Sequence, residues 1–183
     1  MAPVAHSWWH KMNRRTVFLM GGAAAVLGAC GIGMGEPQVG ADGRPLPRVY
    51  KINNSTAEKI PFRVLDSVNT LRAAKGAAPL QLNAELNAAA LTHSRDMSVQ
   101  NRPWHFGSDG SSPLQRVQRV GYPGKFLGEL ISETYETEME SLAAWMAQPD
   151  TRNVILDPMA RNLGFAWFQE PGGKIWWTLL TGG

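Results

Sequence analysis

Downstream of its single cysteine, Cys30, the chain has two histidines, His93 and His105. The ordinary pKa of histidine lies close to neutrality, which makes these two the first candidates for a general base or a metal ligand. A catalytic zinc takes three protein ligands and keeps a fourth position open. A zinc site here would therefore need both histidines, or one of them with carboxylates. His93 shares a stripe with Leu86, Ala90 and Met97, the apolar face of a helix. That position predicts a buried imidazole hydrogen-bonded to backbone. His105 falls in a Gly- and Ser-rich loop, where it either orders the loop or faces a cleft. No metal site and no cofactor are expected from this set.

Nucleophiles are no better grouped. Ser94, Ser108, Ser111, Ser112 and Ser132 supply hydroxyls, but none stands in a Gly-x-Ser-x-Gly turn. A serine acts as a nucleophile only with its base in hydrogen-bond reach. Trp104, beside His105, reads as an exposed platform for a ligand. Trp145, Trp167, Trp176 and Trp177 fall in helix and strand positions and read as core. Adjacent strand residues point to opposite faces, so Trp176 and Trp177 must separate. The acidic run Glu133, Glu136, Glu138 and Glu140 reads as a solvated helix start, favourable at the positive end of the helix dipole.

These residues need elements to hold them. Phe62, Leu65, Val68, Asn69 and Leu71 form a helical stripe that Pro61 opens and Gly76 closes. Asn83 caps a second helix, and Pro113–Val120 reads as a short third one ended by Gly121. Residues 126–132 read as a strand and 136–147 as a helix with Met139, Leu142 and Met146 inward. The chain closes with strands at 163–169 and 174–181, joined by Glu170-Pro171-Gly172-Gly173, a hairpin signal. The fold class is α+β, with helices packed on a mostly antiparallel sheet that ends in a C-terminal β-hairpin.

The 183-residue chain carries a formal charge of +3. Three of its bases, Lys11, Arg14 and Arg15, lie in residues 1–29, which hold no acid, so from Cys30 onward bases and acids balance. A groove that tracks phosphates needs an excess of cations, so nucleic acid is not an expected partner. One cysteine also excludes an intrachain disulfide or a multi-thiolate zinc site. Residues 16–29 are apolar and small, too short for a bilayer core of roughly 30 Å. With the preceding charges they spell an export signal over 1–29. Leu27-Gly28-Ala29-Cys30 resembles a bacterial lipobox, which implies cleavage before Cys30 and a lipid on its sulfur. The stretch from Asn13 to Leu19 is similar to a twin-arginine signal. Gly31, where an aspartate would retain a lipoprotein in the inner membrane, implies an outer-membrane destination, periplasmic side, in a cell that has one. Residues 30–56, rich in Gly and Pro, read as a tether to a domain at 57–183. Within the tether, Val49–Ile52 reads as a short strand or a segment packed on the domain edge.

Five blocks of that domain, in order, resemble the CAP (SCP) superfamily of cysteine-rich secretory, antigen 5 and pathogenesis-related-1 proteins. They are Leu80–Leu86 with Ala90–Met97; His105-Phe106-Gly107-Ser108-Asp109-Gly110; Gly121-Tyr122 with Gly128-Glu129; Trp145-Met146 through Pro149 and Arg152 to Ile155-Leu156-Asp157-Pro158; and Leu163-Gly164-Phe165 with Trp176-Trp177. The resemblance implies an α–β–α sandwich with a central cleft of two histidines and one or two acids. Carried over, the first histidine is His105 and the first acid Glu129. The second histidine falls on Thr151, and the asparagine after the acid is replaced by Leu130. Glu133 is a candidate second acid outside the family positions. The resemblance implies sterols, other lipids or proteins as ligands. The expected role is a non-catalytic binding module on the envelope membrane, with His105, Glu129, Trp104 and Thr151 at its binding site. The alternative is a protease-like hydrolase with His105 as base, Glu129 orienting it, and a serine or metal-bound water attacking.

Overall fold

The computed structural model describes residues 49–183. The leader 1–29, Cys30 and the tether up to residue 48 lie outside the described residues. Helix α1 spans Asn54–Ala73, strand β1 Gln81–Leu82, α2 Ala84–Gln100 and α3 Pro113–Arg119. Then follow β2 at Phe126–Thr134, α4 at Glu138–Ala147, α5 at Pro149–Leu156, β3 at Asn162–Gln169 and β4 at Ile175–Gly182. The sheet order is β1-β3-β4-β2, with β1 parallel to β3 and the other pairs antiparallel.

Strand alternation sends neighbouring residues to opposite faces. On β4, Ile175, Trp177 and Leu179 join Val64 and Val68 of α1, Leu142 and Trp145 of α4 and Ile155 of α5 in one core. Leu180 points the other way, with Leu86, Ala89 and Ala90 of α2 and Val117 of α3. Helices therefore cover both faces, α2 and α3 on one and α1, α4 and α5 on the other. Trp176 and Trp177 are both fully buried on opposite faces. Trp176 Nε1 donates to Glu170 Oε1 at 2.7 Å, and Trp177 stacks on Phe165 with ring centroids 5.5 Å apart.

Helix α2 starts where Asn83 accepts a hydrogen bond from Leu86 N. Its buried face holds Leu86, Ala90, His93 and Met97, in the expected stripe. It lies so close to β3 that a Cβ on Gly164 would collide with the Leu86 carbonyl carbon. Helix α3 is opened by a reciprocal cap between Ser112 and Gln115.

Several expectations are corrected. Helix α1 begins at Asn54, capped by Asn53, so the tether of 30–56 overlaps it. Pro61 lies inside the helix, where its missing N–H leaves the Ala57 carbonyl without a helical donor. The buried stripe is Ile60, Val64, Val68 and Arg72, and Phe62 is exposed. Met139 is also exposed, because Ser141, Leu142 and Trp145 take the inward face of α4. Glu138, read as solvated, is buried against Arg63 at 2.5 Å. Tyr50 and Ile52 form no strand but pack on the domain edge. There Gln169 accepts from Ile52 N and donates to the Tyr50 carbonyl. Arg72, fully buried, donates to the carbonyls of Ala78, Ile155, Asp157 and Ala160. It thereby ties the end of α1 to the end of α5.

Candidate functional site

Glu129 follows a register shift between Phe126 and Gly128 in β2. A bulge of this kind re-aims the residues beside it. Gly128 faces Val154 of α5, so Glu129 points to the α2–α3 face, in register with Leu180. Its side chain is 2% exposed, and a carboxylate so buried must be paired and hydrogen-bonded. Oε2 accepts from Arg116 Nη2 at 2.6 Å, and Oε1 lies 2.9 Å from His105 Nδ1. An ionised carboxylate only accepts, so His105 carries its proton on Nδ1. In the neutral ring, Nε2 is then an acceptor. The His105 side chain is 50% exposed, and Nε2 has no hydrogen-bond partner among the described residues.

The His105 backbone is held as firmly as the ring. Arg116 Nη1 donates to the His105 carbonyl at 2.9 Å and to the Ser111 carbonyl at 3.0 Å. The intervening turn closes through Gly107 N to the Ser111 carbonyl and Gly110 N to the Gly107 carbonyl. Gly107 has no room for a Cβ, which would meet Asp109 Oδ1 at 2.6 Å and Ser111 Oγ at 2.7 Å, and Gly110 sits at φ +76°. Hydrogen bonds from the Ser111 hydroxyl and from Arg119 hold the Asp109 carboxyl well below the ordinary carboxylate range.

His93 lies beneath this turn. It is fully buried, and its Nε2 donates to the Trp104 carbonyl at 2.9 Å. The same nitrogen is 3.7 Å from Glu129 Oε1, and Nδ1 has no partner. Burial pushes the His93 pKa down, outweighing the upward pull of Glu129; Arg116 pushes it further down. The ring is therefore neutral at pH 7, an uncharged support under Trp104.

The structure thus brings His105 and Glu129 together, and it corrects the placement of their companions. Trp104 is half-buried and no open platform. Its indole N–H donates to Gln100 Oε1 at 2.7 Å, and the Arg102 guanidinium covers its ring at 3.9 Å. Phe106, 48% exposed and 5.5 Å from Trp104 between centroids, is the more accessible ring. Thr151 lies in the first turn of α5, on the opposite face of the sheet, where its hydroxyl donates to the Trp145 and Gln148 carbonyls. Glu133 lies two alternations beyond Glu129 on β2, about 13 Å along the strand, and pairs with Lys174 at 2.9 Å. Arg116 was missed. The signal for it is an acid inside the run Leu127–Ile131, because a buried carboxylate requires a buried cation.

The sequence pattern of the cysteine-rich secretory protein family, CAP, matches residues 65–180. The chain belongs to the CAP family. An uncharacterized protein of Bacillus subtilis, YkwD, is 30% identical over 114 residues, which are 62% of this chain and 44% of that protein. The chain therefore spans less than half the length of this relative. An outer surface protein of Borrelia burgdorferi shares the fold with a TM-score of 0.62 at 17% identity, over 73% of this chain and 96% of that one. An extracellular SCP-domain protein of Bacillus anthracis gives 0.60 at 17% identity, over 72% and 44%. At these identities the likeness is one of fold. The sandwich described above is the CAP fold.

Proposed function

We propose that the chain is an exported, lipid-anchored CAP-domain protein that binds a ligand or partner at its His105 surface without transforming it. The observation behind this reading is the way His105 is held. Glu129 fixes its ring, Arg116 fixes both Glu129 and the His105 carbonyl, and one accepting nitrogen is left in a turn that also exposes Phe106. A rigid acceptor in a turn that also exposes an aromatic ring suits a ligand with a hydroxyl or amide N–H set in apolar surroundings. The nearby hydroxyls are engaged elsewhere: Ser108 donates to Asp96, Ser111 bonds Asp109, and Ser94 donates to Thr178. Ser112 caps α3. Ser132, three residues after Glu129, takes the opposite face of β2. Export is supported by the residues before Cys30 and by the relatives, one an outer surface protein and another extracellular.

One observation favours the second reading, a hydrolase. A histidine with Nδ1 on a buried carboxylate and Nε2 outward is oriented as a general base. Turnover of ester and peptide substrates by the full-length chain and by His105→Ala separates the two. The binding reading expects equal, background rates. A rate in the wild-type chain that falls by about tenfold or more in the variant, ~1.4 kcal/mol of lost transition-state stabilisation, establishes the hydrolase.

A further inference from the structure

Residues 102–111 form a turn that closes over His93, and hydrogen bonds rather than packing hold it there. Most of these residues are exposed, and none belongs to either apolar core. The ties to α2 are polar. His93 Nε2 donates to the Trp104 carbonyl at 2.9 Å, Gln100 bonds the Trp104 indole and the Phe106 carbonyl, and Asp96 Oδ2 accepts from Ser108 N at 2.7 Å. His105 and the Arg116 guanidinium tie the same turn to β2 and α3. Bonds that water can replace cost less to open than a packed core. On its other side α2 packs against β3 and β4, and that contact parts only on unfolding.

The His93 ring has one place for a second proton. Nε2 carries the hydrogen that Trp104 accepts, and Nδ1 is buried with no hydrogen-bond partner among the described residues. A proton on Nδ1 leaves a cationic N–H buried without an acceptor, which is costly. The charged groups that face the ring do not remove that cost. Glu129 of β2, 3.7 Å from Nε2, and Asp96 of α2 attract a cation, whereas Arg116 of α3 repels it. His105, in the turn, already engages the same Glu129 oxygen, and β3 and β4 contain no charged residue. We propose that the 102–111 turn is a proton-operated flap: His93 takes up a proton when the turn lifts from α2, so acid uncovers the ring and draws His105 off Glu129. Burial makes the closed form resist the proton, and the uncovered ring titrates near its ordinary 6.5. Closure is therefore fully favoured above that pH and weakens as the pH falls toward the closed-form value. The flap rests on the placement of His93 and holds whether or not His105 binds a ligand.

Amide hydrogen exchange of the full-length chain between pH 7 and pH 5 tests this, with each rate taken relative to the unstructured peptide at that pH. The Ser108 amide, whose acceptor is Asp96 on α2, reports lifting of the turn. Leu179, fully buried in the inner strand β4, reports global unfolding. Ser108 should exchange at least about tenfold faster than Leu179 at every pH, and its protection should fall by about threefold or more across the range. His93→Gln offers the Trp104 carbonyl an N–H donor but cannot titrate, and Ser108 protection in it should be flat. Should that variant fail to fold, His105→Gln removes the other histidine of the described residues and should leave the fall in place. Constant Ser108 protection in the wild-type chain, protection equal to that of Leu179, or a fall that persists in His93→Gln or vanishes in His105→Gln overturns the proposal.

Discussion

Glu129 is an acid set in an apolar strand, and its neighbours are explained by that fact. Removing a carboxylate from water costs several kcal/mol unless it is paired, so Arg116 and His105 are drawn to it at 2.6 and 2.9 Å. His93, 3.7 Å away, stays neutral because burial outweighs the pull of Glu129. This has a consequence for stability. The pKa of His93 is lower in the folded chain than its ordinary 6.5. Below about pH 6.5 the unfolded chain therefore takes up a proton that the folded chain refuses. Stability is fully present above that pH and falls as the pH drops toward the folded pKa. The charged groups facing His93 are Glu129, Arg116 and Asp96, and His93→Gln alters none of these residues. Urea unfolding between pH 7 and pH 5 should show a shallower pH slope for the variant than for the wild-type chain; equal slopes contradict the assignment. At this scale the site was half legible. His105 and Glu129 follow from motif blocks, but Arg116 occupies a helix of seven residues and only the need of Glu129 points to it. Thr151 holds the sequence position expected of a second histidine, yet its hydroxyl closes the turn between α4 and α5.

Among the elements, α1 depends on a residue with no apolar character. Arg72 places one guanidinium on four carbonyls at 2.8 to 3.1 Å, in the core formed by Val68 and Ile155. Arg72→Met keeps the length of the side chain but strands those carbonyls. At about 1–3 kcal/mol for each buried group left unsatisfied, a loss of ~3 kcal/mol or more is expected in denaturant unfolding. A loss below about 0.5 kcal/mol, the range of ordinary surface substitutions, contradicts that role. Legibility varied from element to element for physical reasons. Helix α2 was plain because its cap at Asn83 and its apolar stripe agree. The first two turns of α1 were hidden because Pro61 reads as a helix start, whereas the capping signal is Asn53. Helix α5 was missed because Ile155 is its one buried residue, too little periodicity to notice. Strand β1 has two residues, both exposed, and is defined by its pairing to β3 rather than by any pattern of its own.

For the whole molecule, the formal charge of +3 lies in residues 1–29, and the rest of the chain balances. Tyr50 N donates to the Tyr135 carbonyl just past the end of β2, so the first described residues are docked at the far end of the strand that carries Glu129. Those two points are six residues apart, about 20 Å along the strand, which keeps Tyr50 away from the His105 surface. If Cys30 carries the lipid, Cys30→Ser should move the protein from the membrane to the soluble fraction, and unchanged fractionation contradicts the anchor. On the proposed reading, His105, held by Glu129 and Arg116, is a recognition surface. Its most direct test is mass spectrometry of what co-purifies with the detergent-extracted full-length chain, compared between wild type and His105→Ala. A recognition surface at His105 requires a bound molecule on the wild-type chain whose occupancy falls by about tenfold or more in the variant. The same molecule at equal occupancy on both would contradict it.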